Sequence, residues 1–182
     1  MIYDVREYAT YEAMTTLSYR IVEELMTNPK AEIIWKLLKY DDADAYARPN
    51  LTLDEKRALI YAGQDVQTDY SVFFDYMMDD AEYEMKTLLR IYPADIYPIN
   101  RVTGICAVNI EVFAHSKINH LSNYTTRVDT IIQKLIEILN GLDVGGIGVL
   151  YFDNQANSYD RVQTTGQKPF KGKVLKMSVN MG

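Results

Sequence analysis

Residues 101–153 read RVTGICAVNIEVFAHSKINHLSNYTTRVDTIIQKLIEILNGLDVGGIGVLYFD, and two periods run through them in succession. From Cys106 to Ala114 every second residue (Cys106, Val108, Ile110, Val112, Ala114) is apolar or small. Asn109, Glu111 and His115 alternate with them, with Ile105 and Phe113 among them. A period of two is what a half-buried strand requires. The spacing then changes. Val128, Ile131, Ile132, Leu135, Ile136 and Leu139 recur at three and four, which draws one apolar stripe along a helix. Thr126 with Asp129 is a variant capping box at its start, and Asn140-Gly141 supplies its stop. The glycine-rich exit, GLDVGGIG, leads into a second strand.

That exit resembles a phosphate loop only in composition. A phosphate cradle follows a strand and opens a helix, and here the glycines follow a helix and open a strand. No Gly-Lys-Ser/Thr is present either. Close backbone approach at a helix-to-strand turn explains the glycines better.

Working outward towards the N-terminus, Thr10 is placed to cap a helix carrying Met14, Leu17, Ile21, Val22, Leu25 and Met26 on one side. Asn28-Pro29 ends it and starts another, whose expected buried side is Ile33, Ile34, Leu37 and Leu38. Trp35 falls off that face, which makes it either a contact residue for a partner or a cover for the domain's own edge. Thr52 and Glu55 form a capping box for a short helix from about Leu53 to Tyr61, stopped by Gly63. The alternating run 70–78 and the segment from about Met85 to Tyr92 predict two strands joined across an acidic turn. Tyr92-Pro93 and Tyr97-Pro98 bracket an extended connection, because a residue before proline is pushed out of the helical region. In the other direction, residues 154–169 are polar and without period, so they predict a loop or hairpin tip. Leu175, Met177, Val179 and Met181 then share a face of a closing strand. The fold class expected is α+β: a small, mostly antiparallel sheet of four or five strands, packed by one long amphipathic helix. Residues 1–65 are expected as a helical N-terminal extension and residues 66–182 as the α+β core.

Composition bounds the chemistry. At 182 residues, 48% of them hydrophobic, the chain can bury a core. A lone cysteine, Cys106, cannot form an internal disulfide, which fits a reducing compartment. No signal peptide or membrane span is expected. The formal charge of −6 is uneven: residues 1–100 carry a net −9 and residues 101–182 a net +3. Ordinary surface charge accounts for this, or else a subunit whose unlike faces meet its neighbours.

No catalytic constellation emerges. Asp41, Asp42 and Asp44, or Asp79, Asp80, Glu82 and Glu84, could attract a hard cation, but neither run has the spacing of a calcium loop. His115 and His120 are the only histidines and lack zinc-site spacing. His115 is expected to bond a neighbouring backbone group. Catalytic, cofactor and metal residues are therefore expected to be none. What stands out is 15 tyrosines and 8 methionines, types suited to subunit contacts. The interface candidates are Trp35, Tyr92, Tyr97, Tyr151, Tyr159, Arg161, Lys168 and Lys171.

The order IIWKLLKY (33–40), paired strands, Ile110-Glu111-Val112 with His115, the arginine-led helix RVDTIIQKLIEILNG, then GIGVLYF and FKGKVLKM is similar to neck proteins of tailed bacteriophages. These are the head–tail joining or tail-completion subunits, tail terminators included, and the resemblance spans about residues 33–181. It implies a structural virion protein in a homo-oligomeric ring, hexameric or dodecameric, at the head–tail junction. Its implied partners are other neck, portal or tail-tube proteins, with DNA passing through the channel without specific binding. It also implies a place in the virion neck after assembly in the host cytoplasm, with no membrane and no cofactor. Two other classes stay open: a small enzyme using a divalent metal near Asp41 or Asp79, and an intracellular protein-binding adaptor.

The helix face can be tested directly. Ile132→Asp puts an unpaired charge on the stripe and should cost several kcal/mol, read by urea unfolding. A variant as stable as the parent would mean that the stripe is drawn on the wrong side.

Overall fold

The computed structural model describes residues 13–63, 69–76, 84–100, 103–152, 160–166 and 168–181. Four α-helices occur there: α1 (Leu17–Thr27), α2 (Glu32–Lys39), α3 (Leu53–Arg57) and α4 (Arg127–Leu139). Six strands accompany them: β1 (Val72–Phe73), β2 (Thr87–Pro98), β3 (Gly104–His115), β4 (Val149–Tyr151), β5 (Arg161–Thr165) and β6 (Phe170–Met181). The sheet runs β1-β2-β3-β6-β4, with β5 also on β6. All its pairs are antiparallel except β1 with β2, so the expected α+β class holds.

The opening stretch folds as its periods require. Cys106, Val108, Ile110, Val112 and Ala114 are completely buried on one face of β3, under α4. Thr126 accepts the Asp129 N–H at the start of α4, and Val128, Ile131, Ile132, Leu135 and Leu139 are buried along it. At its far end the chain returns to the sheet across Gly148, whose φ is +152°. A Cβ there would lie 2.0 Å from the Asn180 carbonyl oxygen. Close approach, not phosphate binding, is what this glycine serves.

The helical layer is broader than expected. α4 has 13 residues, but α1 with 11 and α2 with 8 lie over the same sheet face, so no single long helix covers it. Asn28 caps the turn that opens α2 by accepting from Lys30 N, and Thr52 with Glu55 completes the capping box of α3. The expected Thr10 cap lies outside the described residues.

Three strand expectations are corrected. β1 is two residues long and runs parallel to β2, pairing Val72 with Leu89, so the two do not form a hairpin. Parallel strands cannot be joined by a tight turn, which is why 13 residues separate Phe73 from Thr87. The rest of the predicted strand towards Met78 ends in bends at 74–76 or lies outside the described residues. β2 continues through both prolines to Pro98, with a bulge between Pro93 and Ile96. Beyond Arg90 no strand pairs with its outer side among the described residues, so a missing N–H costs little there. Finally, Arg161–Thr165 lies within the predicted loop but forms β5, antiparallel to β6. Arg161 to Thr164 are all exposed, so no apolar alternation marked the strand.

Trp35 is also corrected. Its side chain is 0% exposed, and its indole N–H donates to the Leu25 carbonyl at 2.7 Å, so it can touch no partner. α2 is enclosed on more than one side, and its fully buried residues are Ile34, Trp35, Leu37 and Leu38, with Ile33 half-buried. The Trp35 bond belongs to a wider pattern, in which orphan carbonyls at helix ends are met by donors from distant segments. Lys56 takes the Met26 carbonyl at the end of α1 and also pairs with Glu32. Ser71 takes the Leu38 carbonyl near the end of α2. Arg127 does most. From the first turn of α4 its guanidinium donates to the carbonyls of Leu37 (2.7 Å), Tyr40 (2.7 Å), Asp42 (3.0 Å) and Ile118 (3.1 Å).

Arg127→Met keeps most of the bulk and removes every donor. Each carbonyl left unpaired in the interior costs about 1–3 kcal/mol, so the loss should reach several kcal/mol in urea unfolding. Lys117→Met on the exposed surface is the control, expected within about 0.5 kcal/mol of the parent. Equal stability of the two variants would remove Arg127 from its structural role.

Candidate interaction surface

The helices cover one face of the sheet, and the opposite face carries the second set of alternating residues. At the end formed by Leu88, Phe113 and Phe170, an aromatic and aliphatic cluster includes Phe73, Tyr61 and Tyr70. Gly172 stands opposite Phe113 in the register, and a Cβ there would lie 2.4 Å from the Phe113 ring. Its lack of a side chain lets that ring lie flat across β6. Beside it the Arg90 guanidinium sits 4.9 Å from the Phe113 centroid and 3.5 Å from a Glu111 oxygen.

Tyr92 joins the same row. Its hydroxyl donates to Glu111 Oε1 at 2.8 Å and accepts from Asn109 Nδ2 at 3.3 Å. Burial, with the Glu111 carboxylate beside it, raises the phenol to about 12, so it stays protonated as a donor. Ser178 Oγ donates to Asp160 Oδ2 further along β6. Among the described residues this face is thus half sealed by a polar network, with no helix laid across it.

The remaining sequence candidates spread across the same side and the adjoining edge. Tyr151 on β4 is 40% exposed opposite Ser178. Arg161 on β5 is exposed opposite Lys176, and Lys168 and Lys171 are exposed around the β5–β6 turn. Tyr97 is half-buried and pairs with Ile105 near the β2–β3 turn. Tyr159 lies outside the described residues. The structure therefore gathers Tyr151, Arg161, Lys168 and Lys171 about one edge, and sets Tyr92 and Tyr97 apart. A groove of about 360 Å³ separates the β5–β6 hairpin from the start of α4, lined by residues such as Thr164, Lys171, Lys173 and His120. Lys173 is held there by Asp129.

Groups considered for catalysis are engaged elsewhere. His115 Nδ1 accepts from Lys117 N at 3.2 Å, as expected of a strand-end histidine. Burial pushes the Cys106 thiol up to about 11, away from thiolate chemistry. Asp42 pairs with Arg48 at 3.0 Å, and Asp44 accepts from the Ser122 hydroxyl. Asp79, Asp80 and Glu82 lie outside the described residues, and among those described no three acidic, histidine or cysteine side chains group as a metal site. Among the same residues, no helix is long and apolar enough to cross a membrane.

A family model described as YomW matches residues 31–179, from the turn before α2 to near the end of β6. The chain belongs to the YomW family. YomW is phage-derived, and membership points to a phage-encoded protein. Nothing among curated proteins matches the chain. The YomW match includes Arg127 and the four carbonyls it binds, and it leaves out α1.

Sequence reasoning missed Arg90 and did not connect Glu111 with Tyr92. The available signal was their period-two position opposite the core face, but pairing across strands needs the register. Tyr92→Phe removes one hydrogen bond to a charged acceptor and should cost about 1.5–3 kcal/mol of unfolding free energy. An unchanged urea midpoint would show that water replaces the hydroxyl without loss.

Proposed function

We propose that this YomW-family chain is a structural virion protein. It assembles into a homo-oligomeric ring at the phage head–tail junction, joins head to tail, and lines the passage for DNA. The observation that carries the reading is the division of the sheet. One face is sealed by helices with a continuous core, and the other presents a half-buried polar row running to an edge with exposed Tyr151, Arg161, Lys168 and Lys171. A monomeric enzyme would concentrate its perturbed groups in a cleft, whereas here they are scattered, from Asp41, Glu55 and Arg127 in the helical layer to Tyr92 and Cys106 in the sheet. Membership of a phage-derived family supports the setting. The formal charge of −6 suits a wall past which DNA slides without being held. Portal, neck or tail-tube proteins lie above and below, and the ring forms in the host cytoplasm before entering the virion.

An adaptor for a single partner would use the same edge, so oligomeric state separates the two readings. Size-exclusion chromatography with light scattering should show a discrete oligomer that co-purifies with particles or tails. A chain that stays monomeric at every concentration and never enters particles would sink the ring. Removing residues 154–169 as a block is a poor test, because it strips β5 from the sheet.

A further inference from the structure

We propose that copies of this chain meet head to tail, the basic β5–β6 edge of one seated on the acidic β1–β2 edge of the next. This rests on the ring reading and adds which surfaces mate.

The register places the two edges level with one another. Phe73 pairs with Arg90, Arg90 with Glu111, Glu111 with Val174, and Val174 with Gln163, one row crossing the sheet from β1 to β5. Four strand spacings separate the ends, roughly 19 Å at about 4.8 Å each. Opposite charge stands at the two ends. At the β5–β6 end, Arg161, Lys168 and Lys171 are exposed, with Val162 38% exposed among them. At the β1–β2 end, Asp69, Asp75, Glu84 and Asp95 are exposed, beside Tyr76 at 64% and Met85 at 49%. Among the described residues of β2 and its approach, Lys86 and Arg90 are the basic ones and both are buried. Lys86 donates to the Tyr70 carbonyl and pairs with Glu84 at 3.6 Å, and Arg90 donates to the Tyr76 carbonyl, which leaves Asp69, Asp75 and Asp95 to set the sign of that edge.

Each end therefore offers apolar contact rimmed by one sign of charge, and the signs are opposite. Docking either end on its own copy would set like charges against each other. Unlike patches on opposite sides make a heterologous contact, which closes into a ring when the rotation between copies permits. The contact runs through side chains, since Ile60 already bridges Val72 on the outer side of β1.

Two triple variants test this: Arg161→Glu with Lys168→Glu and Lys171→Glu, and Asp69→Lys with Asp75→Lys and Asp95→Lys. Sedimentation velocity at low and high salt reads assembly, and circular dichroism checks the fold. The parent should assemble less as salt rises. Each variant alone should self-associate at least on the order of tenfold more weakly, and an equimolar mixture of the two should recover assembly. If the parent assembles and either variant assembles equally well, the head-to-tail contact is wrong while the ring stands. A parent that never assembles removes both. If the basic-edge variant loses binding to a short random-sequence duplex and assembles normally, that edge serves nucleic acid and the proposal is overturned. Should a triple variant unfold, Lys168→Gln and Asp75→Asn take its place, each expected to shift assembly to higher protein concentration and overturning the proposal if neither does.

Discussion

One guanidinium holds the helical layer to the sheet connections. Arg127 opens α4, yet its four bonds go to the end of α2, to the two residues Tyr40 and Asp42 beyond it, and to Ile118 in the β3–α4 connection. Carbonyls at a helix end carry partial negative charge and have no partner within the helix. A planar donor with five N–H groups can serve all four of them at once, one more than the three protons of a lysine allow. Burying such a charge is costly, and the cost shows in the lowering of the Arg127 pKa by desolvation, offset in part by Asp41 and Asp42. Bonds to four oxygens make that burial sustainable. Trp35, Lys56 and Ser71 repeat the device on a smaller scale, so α1 and α2 are fixed by what reaches their ends as much as by their apolar faces.

Those long-range caps also mark where the sequence stopped being legible. The alternation in β3 and the stripe of α4 could be read because both are local and both face one core. The capping box at Thr52 is local too, and it forms; at Thr126 the hydroxyl accepts from Asp129 N and donates to the Asp129 carboxylate. Arg127 could be recognised as the first residue of a helix, but nothing in its neighbours says that Leu37, 90 positions away, is its partner. Trp35 was misplaced for a related reason: periodicity describes one buried face, and α2 is enclosed on more than one. β5 could not be recognised because an exposed edge strand needs no apolar pattern. β1 was misread because alternation gives a strand without giving its direction. Of the candidate surface, residue types were legible and grouping was not. Tyr151 and Arg161 come together with Lys171 only because they pair with β6, on which Lys171 lies, and Lys168 sits in the turn that leads into it.

The sheet's two faces divide the labour. The helix-covered face holds the main apolar core, and a second, smaller cluster around Phe73, Leu88 and Phe170 lies apart from it. Beyond that cluster the opposite face places Arg90, Glu111, Tyr92 and Asn109 at its alternate positions, and these bond one another in a row. Such a face can stay in contact with water without loss of fold. A subunit placed in a larger assembly gains from that separation, because changes on the outer face need not disturb the core.

β6 carries a further consequence. Its outer side is shared end to end by β5, against Gly172 to Lys176, and β4, against Ser178 to Asn180, so the ladder is interrupted at Met177. β4 is anchored by Leu150, which is fully buried, whereas four of the five residues of β5 are exposed and the fifth is half-buried. Fewer buried side chains hold β5 than hold β4, so burial makes β5 the half of this border that costs less to open. β5 is positioned to fray and re-form within a folded molecule, as a hem sewn on by backbone bonds. A border of that kind adapts its outline to whatever lies beside it while everything inward keeps its shape.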